Sequence, residues 1–304
     1  HIVSEKRTYY RLSSTREIVN RYLSSSLKSA VVYGGLKYDA NEDDLVMVNS
    51  NFSVSTQSRG LSSVERMENF KDARAGVQYL PATRIEAQKI DSELKNKGIN
   101  SLLLEDVNGT EESFLSLPQS KPNILHIATH GFYWTKTDAD SILSKRAINT
   151  SLLGLQAMTQ EDKALTRSGL LLSGVNVALK GENIDSHLHD GILTALEISK
   201  LDLSSLNLAV LSACETGLGD IKSGEGIIGL QRGFKKAGAK SLLMSLWKVD
   251  DIATQMLMVE FYKNFLNNKS KTKSLQAAQN YVMNQYGYED PEYWAGFVLL
   301  DALD

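Results

Sequence analysis

A single cysteine, Cys214, is all the thiol in this 304-residue sequence, which excludes an internal disulfide and any multi-cysteine metal site. No apolar run approaches the roughly 18 residues of a membrane span, and the amino-terminal stretch carries no signal-peptide pattern. Neither sign of charge dominates: 33 lysines and arginines face 36 aspartates and glutamates, a net charge of −3. That balance removes the basic excess of a direct nucleic-acid binder and leaves no acidic tail. Internal repeats and low-complexity tracts are also missing. What is there is ordinary for a soluble globular protein, with 42% apolar and 23% charged residues and enough material for a sizeable core. At roughly 100–200 residues per domain, the length fits one large domain or two modest ones. The expected setting is the cytoplasm, with neither membrane nor nucleic acid as partner. An opening His1 in place of methionine suggests a fragment or a tag remnant.

Residues 1–30 are polar, with Ser24, Ser25 and Ser26 clustered and a short amphipathic stretch about 16–23, and they read as a lead-in segment to a domain over 31–304. Residues 31–35 form a short apolar run ending in two glycines, the pattern of a buried strand and a turn. The stretch 38–78 is charged, serine-rich and weakly periodic, which predicts a long surface excursion with a helix near 63–73. Regular alternation begins after Leu80. Thr83, with Glu86 three residues on, predicts a capped helix over 84–97 stopped by Gly98. A strand at 99–104 and a short helix opened by Thr110 and closed before Pro118 follow.

The next buried strand, 124–129, delivers His130 and Gly131. Residues 133–190 then interrupt the pattern as a polar insertion, in which 170–173 and 175–179 look like hairpin strands around Gly174. Beyond it come a helix at 193–200 and a strand at 208–213 that delivers Cys214, then a glycine-rich loop and a helix at 227–237 closed by Gly238. A strand at 241–247, helices at 252–267 and 274–286 and an apolar segment at 293–300 complete the chain. The strands are continuously apolar and alternate with helices, so the expected fold is α/β with a mainly parallel sheet covered on both faces.

In such sheets, reacting groups gather beyond the carboxyl ends of the strands. Two strand ends carry them here, one with His130-Gly131 and the other with Cys214. A thiol is nucleophilic only as the thiolate and needs a base beside it at neutral pH, a need that histidine meets. The backbone N–H groups of Gly131 and Cys214 could then hold the oxyanion of an acyl transfer. The plainer reading makes Cys214 a small buried hydrophobe and His130 a satisfied structural residue. Two such residues at strand ends, each beside small neighbours, weigh against it. His126, on the same strand face but deep in the run, reads as core. His187 and His189 have no third partner in a defined frame and read as a solvated loop, not a metal site. The match of Gly224, Gly226 and Gly229 to G-x-G-x-x-G lies ten residues beyond the strand, too far for a phosphate cradle.

The motifs at these strand ends resemble those of the CHAT family, caspase-like domains related to separase and often found behind tetratricopeptide repeats. The resemblance rests on His-Ile-Ala-Thr-His-Gly at 126–131, Asp-Gly-Ile-Leu-Thr-Ala at 190–195 and Leu-Ser-Ala-Cys-Glu-Thr-Gly at 211–217. Gly-Glu-Gly at 224–226 and Ser-Leu-Trp-Lys-Val-Asp-Asp at 245–251 complete it, and a weaker likeness at 80–87 extends it upstream. The resemblance implies a three-layer α/β/α sandwich, a catalytic dyad of His130 and Cys214, and oxyanion donors at the backbones of Gly131 and Cys214. It also implies a further strand and turn upstream of residue 9, no cofactor, and a protein substrate. An upstream repeat or sensor region and a regulatory protein partner come with it.

In separase-like members an acidic group beside the dyad implies cleavage after arginine or lysine, since a carboxylate pairs bidentately with guanidinium. Asp250 and Asp251 are the candidates, against the plainer role of an N-cap, and the residues alone do not divide the two roles between them. Lys145 and Arg146, in the insertion, mark a candidate self-processing point. The expected activity is therefore that of a cysteine endopeptidase. The alternative is a peptidase-like module whose task is partner recognition in a larger sensor or signalling assembly.

Overall fold

The computed structural model describes residues 10–18, 27–52, 76–133, 159–182, 184, 187–212, 225–267 and 270–302. In chain order the elements are β1 (Ser29–Leu36), α1 (Glu42–Asn49), α2 (Pro81–Asn96), β2 (Asn100–Asp106), α3 (Glu111–Leu115), α4 (Leu117–Ser120), β3 (Ile124–Ile127) and β4 (Gly131–Tyr133). They continue as α5 (Gln160–Leu165), β5 (Ser168–Leu171), α6 (Val175–Lys180), β6 (Ile192–Thr194), α7 (Ala195–Ser199), β7 (Leu208–Leu211) and α8 (Glu225–Lys236). β8 (Ser241–Ser245), α9 (Asp251–Phe265), α10 (Lys271–Met283) and β9 (Phe297–Leu300) close the chain.

Six strands form one sheet in the order β2-β1-β3-β7-β8-β9, parallel except for β9, which runs antiparallel to β8. Its central strands are apolar on both faces, because each face is covered. Val31, Tyr33, Leu125, Ile127, Ala209 and Leu211 point into one core, while Ala30, Val32, Ile124, Leu208 and Val210 point into the other. Helices α2, α9 and α10 pack on the second face. The first face carries α3, α6, α7, α8 and a small antiparallel sheet, β4-β5-β6. The result is the expected α/β/α sandwich with a mainly parallel sheet. Near the amino terminus, Ser13 donates through its N–H and hydroxyl to Asp301 at 2.7 and 2.6 Å, and Asp301 also takes the Lys235 ammonium at 2.8 Å.

Several local expectations are corrected. The stretch read as a surface excursion contains α1, capped by Asn41 accepting from the Asp44 N–H. Only Leu45 and Val48 face the core there, and the exposed Val46 and Met47 blur the helical period. The helix expected near 63–73 lies outside the described residues. α2 begins at Pro81 without a side-chain cap; Thr83 accepts the Gly35 N–H at 3.0 Å, and Glu86 is buried beside His126. Residues 175–179 are helix and not a hairpin strand: Gly174 at φ +84° turns the chain into α6, and β5 pairs with β4 and β6 instead. A mostly apolar run of five residues cannot by itself distinguish the two. The helix expected from 193 is shortened to α7 because residues 192–194 complete the small sheet, with Thr194 and Glu197 forming its capping box. Pro118, expected just beyond a helix, sits in the first turn of α4, where a missing N–H costs nothing.

Candidate active site

β3 ends at Ile127, but its neighbours hold the chain on course a little further. The Ala128 N–H bonds to the Tyr33 carbonyl and the Ser212 N–H to the Ile127 carbonyl, each at 2.9 Å. Thr129 gives its hydroxyl proton to the Leu171 carbonyl and receives the Tyr38 hydroxyl at 2.9 Å. These bonds fix the backbone that presents His130. Its imidazole is almost wholly buried, with Nε2 2.8 Å from the Gln78 carbonyl and its ring centroid 5.1 Å from that of Tyr38. A carbonyl only accepts, so Nε2 carries the proton and Nδ1 is the basic nitrogen.

Burial pushes the His130 imidazole below its ordinary pKa near 6.5; the Gln78 carbonyl and the Asp251 charge work against that, and Lys248 adds to it. Its ground state is therefore the neutral base. Tyr38 keeps its proton, since burial raises its pKa to about 12 despite its bonds with the Thr129 hydroxyl and the His130 N–H. Gly131 opens β4 opposite Leu170. The Leu171 N–H bonds to the His130 carbonyl, which makes Gly131 and Leu170 a non-hydrogen-bonded pair. The β4–β5 ladder therefore directs the Gly131 N–H away from β5.

The two aspartates divide as the residues alone did not indicate. Asp250 caps α9, its carboxylate accepting the N–H groups of Ile252 and Ala253 at 2.9 and 3.0 Å. Asp251, exposed on the first turn, reaches both His130 and Tyr38 electrostatically. Cys214, Lys145, Arg146 and the loop 213–224 lie outside the described residues. What is described is the approach to Cys214: β7 pairs in parallel with β3 so that Ile127 faces Leu211. In the sequence, His130 follows Ile127 by three residues, as Cys214 follows Leu211.

Two other histidines lie against carboxylates. His126 is fully buried in the sheet, 3.0 Å from a Glu86 carboxylate oxygen and edge-on to the Tyr262 ring at 5.6 Å, so it is core, as expected. His189 is not on a solvated loop. Its Nδ1 lies 3.4 Å from Glu111 and its N–H bonds to Glu112 at 2.9 Å. Burial would lower its pKa, but Glu111 above all, with Glu112 and Glu197, pushes it up to about 9. Glu111 is itself raised to about 8, first by burial and then by the charge of Glu197. Among the described residues no group of three or more His, Cys, Asp and Glu is arranged to hold a metal. Gly229 contacts Ser168 so closely that a Cβ there would collide with it, so this glycine seats α8 on β5.

Sequence reasoning missed Tyr38 and Gln78. Tyr38 stands two residues beyond the end of β1, and the strand-end rule applied there would have found it. Gln78 contributes only a carbonyl, which every residue type possesses, and so leaves no side-chain signal.

A mainly parallel six-stranded sheet between two helical layers is the α/β/α architecture of caspase-like domains. The CHAT domain model matches residues 3–302, and the chain belongs to that family. Two curated relatives are tetratricopeptide repeat protein 28 of Mus musculus, 34% identical over 115 residues, and its namesake of Homo sapiens, 33% identical over 127. The matches cover 38% and 41% of this chain and 5% of each relative. No helix among the described residues is long and apolar enough to cross a membrane.

Proposed function

We propose that the chain is a cysteine endopeptidase in which His130 and Cys214 form the dyad. One observation carries this reading: the chain's sole cysteine follows a strand paired in parallel with the strand that leads to a buried, carbonyl-anchored histidine, at the same offset. Nδ1 of His130 takes the thiol proton as the sulfur attacks the scissile carbonyl. The backbone N–H groups of Gly131 and Cys214 hold the oxyanion. As the C–N bond breaks, the imidazolium returns its proton to the leaving amine and leaves a thioester. Water, losing a proton to His130, then breaks the C–S bond; the thiolate departs and regains that proton. The domain would span residues 31–304, led in by 1–30, with 133–190 inserted between the two active strands and self-cleavage near Lys145 or Arg146. Asp251, and not the capping Asp250, is assigned to select a basic residue before the cleaved bond.

The relatives' name supports a tetratricopeptide-repeat, protein-interaction context; the upstream repeat region and the regulatory protein partner belong to the proposal. It also favours a second reading, a peptidase-like module that recognises partners without cutting them. Iodoacetamide labelling separates the two, since the chain has one thiol. The peptidase reading expects fast labelling with a rate midpoint well below the free-thiol pKa of about 8.5. It also expects His130→Ala to slow labelling by up to about 30-fold at pH 7, as the thiolate fraction falls to that of a free thiol, and Cys214→Ala to abolish peptide cleavage with the fold intact. Slow labelling that ignores His130→Ala selects the recognition module.

A further inference from the structure

Beyond Tyr38, where β1 and β2 end, a cavity of about 310 Å³ opens between Gly35, Lys37, Tyr38, Asp39, Tyr79 and Arg84. Its wall is mainly apolar, and the charges at its rim, the exposed Asp106 carboxylate apart, already have partners. The Lys37 ammonium lies 3.2 Å from Asp44, the Arg84 guanidinium 3.1 Å from Glu105, and the Lys180 ammonium 2.9 Å from Asp39. An anion would have to compete with these pairs and a cation would gain only the exposed Asp106, whereas an apolar occupant would bury surface against the mainly apolar wall without disturbing them. Gly35 keeps the opening in shape: at φ +62° it holds a conformation that suits glycine, and a Cβ would come within 2.6 Å of Arg84 Cβ. At the lower end of the roughly 300–1,000 Å³ usual for ligand sites, the volume suits one large side chain better than an extended molecule.

The cavity shares its inner wall with the catalytic base. Tyr38 lines it and packs on the His130 ring, and Tyr79 follows Gln78, whose carbonyl anchors Nε2. Acyl transfer sets the direction of the substrate. The base returns its proton to the leaving amine, so the chain beyond the cleaved bond departs on the side of the base. In the order β2-β1-β3-β7, the base strand stands between the nucleophile strand and the cavity.

We infer that this cavity is a substrate subsite for a large apolar side chain, aromatic or branched aliphatic, on the leaving side of the scissile bond. The inference rests on the cysteine-peptidase reading above. Cleavage of a peptide library by the full chain, with products assigned by mass spectrometry, tests it. Peptides with a large apolar residue on the leaving side should show kcat/KM at least about tenfold above those with glycine there. Tyr79→Ala, which removes a wall, should cut that ratio several-fold, and Lys37→Trp, which fills the space, should turn preference towards small residues. Both positions are half-exposed at the surface, and each ratio is internal to one variant. A wild-type profile with no leaving-side preference, or a preference that both variants leave intact, overturns the subsite while Cys214-dependent cleavage stands. The absence of any Cys214-dependent cleavage overturns the peptidase reading and the subsite together.

Discussion

His126 and His130 stand four residues apart on one segment of chain, and both are buried, yet they face different chemistry. His126 lies within β3 with a carboxylate for a partner, Glu86, and an aromatic edge, Tyr262. His130 lies past the strand's end with a carbonyl for a partner and the Tyr38 ring beside it. A buried carboxyl group holds a histidine in place, because separating the two leaves a polar group without a neighbour of its own kind in the core. A carbonyl orients the ring and sets its tautomer without holding a proton on it, so the imidazole can change charge during a reaction. Position along the strand decides which partner is available: the middle of a parallel strand meets helices, and its end meets loops.

Replacing one member of the inner pair should have the largest effect on stability. His126→Leu leaves Glu86 buried alone and should cost about 1–3 kcal/mol, measured by urea unfolding. The double variant His126→Leu, Glu86→Met should recover most of that loss and label Cys214 at the wild-type rate. A double variant as unstable as the single one would show that the pair is not what the core depends on.

A third histidine sharpens the contrast. The folded state holds the protons of His189, up from about 6.5 to about 9, and of Glu111, up to about 8. Groups with raised folded values favour folding fully below their unfolded values and lose that contribution as pH rises through the folded ones. Stability should therefore fall across about pH 4.5–8 on account of Glu111 and about pH 6.5–9 on account of His189, and His189→Gln should flatten the upper part of that decline in thermal unfolding followed across pH. His130, lowered by burial, has the opposite sign: its contribution is present above pH 6.5 and lost as pH falls through its lower folded value.

The smallest effect is the most local. In a Cys214→Ala background, the NMR midpoint of His130 should lie below 6.5; Asp251→Asn should move it lower still and Lys248→Met should move it up, each by a fraction of a unit. Asp250→Ala should leave the midpoint in place while costing α9 about 1 kcal/mol as a lost cap. Equal midpoint shifts from the two aspartates would erase the distinction drawn between them.

Much of this arrangement was legible in the residues. Continuous apolar runs located β1, β3, β7 and β8, and Thr110 announced α3 by its own hydroxyl. Asp250 also followed the general rule for helix starts. The misreadings share one cause. Thr83 and Glu86 form a capping pattern, but Pro81 starts the helix earlier and the burial of Glu86 against His126 draws its carboxylate inward. Residues 175–179 are apolar enough for either strand or helix, and the fold chose helix because β5 already had neighbours on both sides.

By itself, the order of amino acids determined the alternation of strands and helices, the parallel character of the sheet, and the placing of a histidine and the lone thiol next to strand-forming runs. Those features come from hydrogen bonding and apolar periodicity over a few residues. Only the tertiary structure decided that residues 124–127 run beside 208–211, that the Gln78 carbonyl meets His130, and that Asp251 reaches the histidine while Asp250 caps a helix. Pairing between distant segments depends on which surfaces can be buried together, and a backbone carbonyl looks the same in every residue until the chain has folded around it.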